Sequence, residues 1–292
     1  MMKSNILLAA VLVGLLSGCG KDKDTSVDEV TANLSLSSVS IAGTALTSGS
    51  IGMFVGSDNG YTARSNVKYT FGNPWSSDSP VVLGTNAPSM CAYYPYSSSL
   101  TDATAVSLTS RQYSADADFC YASAGTGLSA TSNTLALNLS HAYAQMTLII
   151  ARDASYSGTC AVSAVSLSNA GLNASATLNL FTGVYQSFAG VVAFDPQITG
   201  IESGSSATVV ALLVPVTTAM SGNLVIALTV DGTKLTTSVN VTSSGLSTLA
   251  AGTNYQGTLS VQPVSSSVSS VSVRGWTVNE IETELLLDSP EQ

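Results

Sequence analysis

Short apolar runs recur along the chain from residue 34 onward, each bounded by Gly, Asn, Ser or Pro. Leu34 and Leu36 lead into Val39 and Ile41 with near alternation. Runs at 51–55, 67–71 and 91–94 follow, and 103–108 places Val106 and Leu108 on one face. Leu135, Leu137 and Leu139 alternate with Ala136 and Asn138, and 146–150 is continuously apolar apart from Thr147. Period-two alternation and short bounded runs both predict β-strands. The second half has the same texture. Val162, Val165 and Leu167 precede the turn Asn169-Ala170-Gly171, and Leu178 and Leu180 precede Thr182-Gly183. The run 208–214 stops at Pro215. The runs 224–230 and 233–241 flank Asp231-Gly232, which predicts a hairpin closed by a type I′ turn, because both central residues must take positive φ. Residues 255–261 and 268–276 close the body.

No stretch before residue 277 carries a useful 3.6-residue apolar period, and dense Ser, Thr and Gly disfavour helix. The pattern predicts an all-β chain of antiparallel sheets packed as sandwiches. The polar run 151–158 marks a change of domain, giving an N-terminal sandwich over 32–151 and a C-terminal one over 152–292 that ends in an acidic tail.

The first eighteen residues stand apart. Lys3 precedes an apolar run over 6–16. As a helix that run reaches about 17 Å, against roughly 30 Å for a bilayer core. It has the length and charge of a signal peptide over 1–18. The sequence Leu16-Ser17-Gly18-Cys19 resembles the lipobox of bacterial lipoproteins, which implies acylation at Cys19. Each buried CH₂ contributes about 0.8 kcal/mol, so several acyl chains anchor stably. Residues 19–31, polar and acidic, then form a tether. An acidic stretch after the acylated cysteine resembles the signal that sends Bacteroidetes lipoproteins to the outer face of the outer membrane.

Composition narrows the function. Formal charge is −9, and charged residues are only 9% of the chain, against about 25% in a typical soluble domain. The nine basic residues are scattered, which excludes nucleic acid as a partner. Beyond Cys19 there remain Cys91, Cys120 and Cys160, each beside apolar residues. They read as buried small hydrophobes, and whether two of them pair stays open. His141 is the one histidine and reads as structural. There is no Gly-x-Ser-x-Gly elbow. Asp22-x-Asp24 and Asp116-x-Asp118 lack the run of oxygen ligands that a calcium loop requires. No catalytic residue, metal or cofactor is expected. Trp75, Tyr93, Tyr94 and Tyr96 suit either the core or glycan stacking, and the core is preferred.

The run Ala92-Tyr93-Tyr94-Pro95-Tyr96, with Trp75 before it, resembles the fimbrillin-like families of Bacteroidetes, which include FimA- and Mfa-type pilus proteins. The order of later features agrees: His141 after Leu137 and Leu139, then Ser168-Asn169, Thr182-Gly183 and Val214-Pro215, and finally Gly252-Thr253-Asn254-Tyr255 and Trp276. The resemblance spans roughly 34–276. The chain departs from it at Ala144-Gln145-Met146, where the family carries a cation, and at Cys91 and Cys120. The resemblance implies two tandem transthyretin-like sandwiches and a non-catalytic role at the cell surface. Its implied partners are other fimbrial subunits, the outer membrane through the lipid, and a host or bacterial surface ligand. The alternative is a surface lipoprotein that binds glycan or protein outside a pilus. Family stalk subunits lose an N-terminal segment to an Arg- or Lys-specific protease, and the groove that opens accepts a strand. Here the candidate processing residues are Lys23 and Arg64, with no Lys or Arg between them. The tail residues Val278, Ile281, Leu285, Leu286 and Leu287 are expected at a subunit contact, because an apolar segment left exposed is a liability.

Overall fold

The apolar runs form strands that split between two halves of the chain. The computed structural model describes residues 30–265 and 268–280. The first half contains β1 (Ala32–Asn33), β2 (Ser35–Ile41), β3 (Thr44–Ala45), β4 (Ser50–Val55), β5 (Arg64–Thr70), β6 (Val82–Leu83), β7 (Met90–Tyr94), β8 (Val106–Thr109), β9 (Arg111–Gln112), β10 (Cys120–Ala124) and β11 (Thr134–His141). The second contains β12 (Ala144–Arg152), β13 (Val162–Ser168), β14 (Ser175–Asn179), β15 (Val184–Ala189), β16 (Val192–Phe194), β17 (Ser206–Leu213), β18 (Asn223–Val230), β19 (Thr233–Asn240), β20 (Thr253–Ser265) and β21 (Val268–Glu280). Among the described residues the helical content is a single 3-10 turn, Ala115–Ala117. The fold is all-β, as the pattern predicts.

One sheet of seven strands, in the order β3-β2-β11-β10-β7-β4-β5, dominates the first half. Leu36 and Ile41 of β2, Leu139 of β11, Ala92 of β7, Ile51 and Met53 of β4, and Tyr69 of β5 all belong to one buried cluster. Residues from one face of a sheet meet in this way only if the sheet curls around its own core. The opposite faces of β4 and β7 are also covered: Phe54, Cys91 and Tyr93 enter a different cluster. Burial on both faces is why these two strands read as continuous apolar runs rather than alternations. Gly52 is required there, since a Cβ at that position would collide with the Tyr93 ring and with Asn66 Oδ1.

The second half packs a five-stranded sheet, β21-β20-β12-β17-β9, against a four-stranded one, β16-β13-β18-β19. Met146, Leu148 and Ile150 of β12 meet Val165 and Leu167 of β13, Ile226 and Leu228 of β18, and Leu259 of β20. The predicted hairpin is present. Asp231 has φ 46° and Gly232 φ 78°, between β18 and β19 in unbroken antiparallel register.

Among the described residues each half contains one parallel pair, β2 with β11 and β12 with β20. The chain passes between the two large sheets at Ala142–Tyr143. Because β12 pairs with β17 and β20, this passage comes ahead of the expected boundary at 151/152. The halves also interlock. β8 pairs with β14 and β9 with β17, so 106–112 lies on second-half strands. A third cluster fills the junction, joining Phe54, Cys91 and Tyr93 to Val106, Leu108, Tyr143, Leu178 and Leu212.

Candidate functional site: strand edges and a buried polar cluster

The edges follow from strand order. β2 lies next to the outer end of its sheet, covered there only by the two residues of β3. Its apolar residues Leu36, Val39 and Ile41 pack beside Leu137 and Leu139 of β11. β21 is the end strand of the five-stranded sheet. Among the candidate tail residues, Val278 stands in β21 opposite Tyr255, so the tail begins inside a paired strand. Ile281, Leu285, Leu286 and Leu287 lie outside the described residues, as do Cys19 and Lys23.

Arg64 opens β5. Its guanidinium donates to Pro80 O at 2.5 Å and to Ser79 O and Oγ at 2.9 and 2.6 Å. β5 is held in the sheet by β4, which itself lies between β7 and β5. A cut after Arg64 would therefore excise an interior strand, β4, along with β2.

Asp118, Cys120 and His141 carry no joint signal in the sequence, and the fold brings them together. Cys120 in β10 is directly opposite His141 in β11, and Asp118 stands two residues before Cys120. All three are buried. His141 Nδ1 is 2.7 Å from Asp118 Oδ2. Cys120 Sγ is 3.5 Å from the same Nδ1 and 3.6 Å from Oδ2. Burial, and then the Asp118 carboxylate beside it, raises the Cys120 thiol well above its ordinary value. The one-residue alternation of Asp118 and Cys120 was the available sequence signal; the facing histidine depends on strand pairing.

These residue types suggest a nucleophile, a base and an orienting acid, but the geometry excludes that relay. In a working triad the acid and the nucleophile contact opposite nitrogens of the imidazole. Here both face Nδ1, while Nε2 is buried without a partner. Neither Cys91 nor Cys160 is in a disulfide. Burial pushes the Cys91 thiol up to about 12. At the family departure in β12, the fully buried Gln145 amide has no hydrogen-bond partner.

The passage between sheets is tightly bonded. Ala142 N donates to Phe119 O at 2.8 Å and Gly252 N donates to Tyr143 O at 2.8 Å. Tyr185 Oη donates to Ala142 O at 2.8 Å, and Tyr143 Oη accepts from Thr109 N at 3.3 Å and from Arg111 at 3.2 Å. Beside this passage is a cleft of about 580 Å³, lined in part by Tyr93, Arg111, Asp118, Phe119 and Tyr143. The aromatic motif mostly faces inward. Trp75 is buried against Phe71, ring centroids 5.4 Å apart, and Tyr93 is fully buried and stacked on Phe119 at 5.5 Å. Tyr96 is half-buried, with Lys68 Nζ 5.2 Å above its ring.

Comparison with known proteins gives a consistent picture. A protein-family model described as fimbrillin-like matches residues 40–276. Among solved structures, a candidate cell adhesion protein from Bacteroides uniformis is similar, with a TM-score of 0.59 at 18% identity, covering 86% of this chain and 99% of that one. A candidate cell adhesion protein from Bacteroides ovatus has a TM-score of 0.55 at 15% identity, covering 85% of this chain and 97% of that one. The tip fimbrial protein Mfa3 from Porphyromonas gingivalis, truncated at its C-terminus, has a TM-score of 0.46 at 11% identity, covering 86% of this chain and 100% of that one. At these identities the likeness to the two Bacteroides proteins concerns the fold. No curated protein matches the sequence.

Proposed function

The chain belongs to the fimbrillin-like family, its role is the non-catalytic one of a fimbrial or adhesin subunit, and we propose that it serves as an anchor or accessory subunit that keeps its lipid. In this reading the body is a tandem of transthyretin-like sandwiches. Acylated Cys19 holds it to the outer membrane, with residues 19–31 as the tether. Other fimbrial subunits join it by strand addition, and β21 with the segment beyond it is the joining element.

The observation that carries the reading is the place of Arg64. A polymerising subunit needs to lose an edge strand and keep the rest of its sheet. Between Lys23 and Arg64 no basic residue is available. Processing after Lys23 leaves β2 in place. Processing after Arg64 removes β4 from between β7 and β5 and leaves β5 without its only partner in the sheet. Neither cut yields an intact sheet with one open edge, which favours retention of the N-terminal segment. The burial of Trp75 and Tyr93 takes two rings of the aromatic motif out of reach of a glycan, which supports the fimbrial reading over that alternative.

Mass spectrometry of the protein purified from producing cells tests the proposal. The expected mature N-terminus is a lipid-bearing Cys19, with fatty-acid labelling lost in Cys19→Ala. A mature chain beginning at Ser65 would overturn it.

A further inference from the structure

We infer that Asp118, Cys120 and His141 form a binding site for a zinc-like divalent cation, which ties β10 to the end of β11 where the chain crosses between sheets. The inference does not depend on the fimbrial role.

The donors are a thiol, an imidazole and a carboxylate, the three side-chain types that zinc takes. They converge on one point rather than forming a chain, because Sγ and Oδ2 both face Nδ1. A tetrahedral zinc, with bonds of about 2.0 Å to N and O and about 2.3 Å to S, sets its donor atoms about 3.3–3.6 Å apart. Two separations already have that value: Sγ to Nδ1 at 3.5 Å and Sγ to Oδ2 at 3.6 Å. The third, Nδ1 to Oδ2, is 2.7 Å, the length of a hydrogen bond with a proton between the atoms. Replacing that proton by an ion spreads this pair by about 0.6 Å.

Charge and access agree with the geometry. A thiolate and a carboxylate balance a divalent ion, so the occupied site is neutral, as a buried cluster needs to be. Binding sends the Cys120 thiol proton to solvent. The proton that lay between Nδ1 and Oδ2 is released, while the imidazole binds through Nδ1 as the neutral tautomer with its hydrogen on Nε2. Asp118 Oδ1 is buried with no hydrogen-bond partner and is available as a further donor. Asp118 also lines the 580 Å³ cleft, which gives the ion a route inward. The outer shell is incomplete, because His141 Nε2 has no acceptor. Loss of such a partner typically costs 10–100-fold in metal affinity, and the expected affinity is lower than that of a fully built site by about that factor.

The position gives the ion a structural task. Phe119, between two of the donors, accepts the hydrogen bond of Ala142 N. His141 immediately precedes Ala142 and ends β11. An ion at the cluster therefore fixes the approach to the passage from both strands.

The test is cobalt titration of the full, metal-stripped chain under reducing conditions. One equivalent is expected to produce a thiolate-to-cobalt charge-transfer band that zinc abolishes. Cys120→Ser is expected to lose the band, while Cys91→Ser, which changes a buried thiol outside the cluster, keeps it. Zinc is also expected to raise the melting temperature of the wild type and of Cys91→Ser. Absence of the band from the wild type overturns the inference. So does a band that survives in Cys120→Ser, which would place the metal on another thiol.

Discussion

Val106 of β8 stands directly opposite Leu178 of β14, so a strand from the first half of the chain is completed by one from the second. The neighbouring β9 pairs with β17 in the same sense, and β12, ahead of the expected boundary, finds its partners in β17 and β20. A fragment covering 30–151 would carry all three strands without their partners. We expect it to show no cooperative thermal transition, whereas the full chain melts as one unit. Calorimetry of both is the check; a sharp, independent transition in the fragment would show that the first half folds alone.

The His141–Asp118 contact predicts a stability effect. Removing one member of a buried pair leaves the other uncompensated, at a typical cost of about 3–5 kcal/mol. His141→Ala should lose stability of that order in urea unfolding. The double variant Asp118→Val, His141→Leu should recover a large part of it, because replacing a buried pair by apolar residues is often neutral. No recovery in the double variant would mean that packing, and not the broken polar contact, sets the loss.

Asp231 predicts a pH effect. Burial acts to raise its carboxyl, but hydrogen bonds from Thr159 Oγ1, Ala161 N, Cys160 N and Tyr156 Oη outweigh it and hold the group at about 2. A carboxyl depressed in the folded state stabilises above its unfolded value of about 3.9. That contribution is lost as pH falls toward 2, the value the fold imposes. Asp231→Ala should therefore reduce the melting temperature at neutral pH, and the gap from wild type should close as pH is lowered through this window. The residue is solvent-exposed, so screening keeps the effect modest. A gap that stays constant from neutral pH to pH 2 would assign the effect to the turn backbone.

The C-terminus separates folding from assembly. Val278, Asn279 and Glu280 pair with Tyr255, Asn254 and Thr253. A chain ending at Thr277 shortens β21 and should melt lower than the full chain. A chain ending at Glu280 should melt as the full chain does and fail to join other subunits. Thermal melts together with co-purification of partner subunits distinguish the two. Undiminished co-purification of the chain ending at Glu280 would remove residues 281–292 from assembly.

The strands were legible because their signals are local. The alternation at Leu135, Leu137 and Leu139, and the turn at Asp231-Gly232, depend on neighbours in sequence. Sheet order was not legible. Nothing in Val106 or Leu108 says that β14 is their partner, because their alternation fits any half-buried edge. The run at 146–150 reads as the last strand of the N-terminal half because a polar stretch follows it, and its pairing with β17 and β20 depends on distant sequence. Asp118 and Cys120 share a face by their spacing, but His141 reaches them through a strand register fixed by the whole sheet. The role of Arg64 depended on structure in the same way: its position was plain, and the place of β4 between β7 and β5 was not.

Immunogold electron microscopy of intact producing cells tests the fimbrial assignment most directly. Antibody against the body of the protein should label surface filaments or their bases, and label should leave the cell surface in Cys19→Ala. Gold spread evenly over the envelope, with filaments unlabelled and unchanged when the protein is deleted, would contradict the assignment.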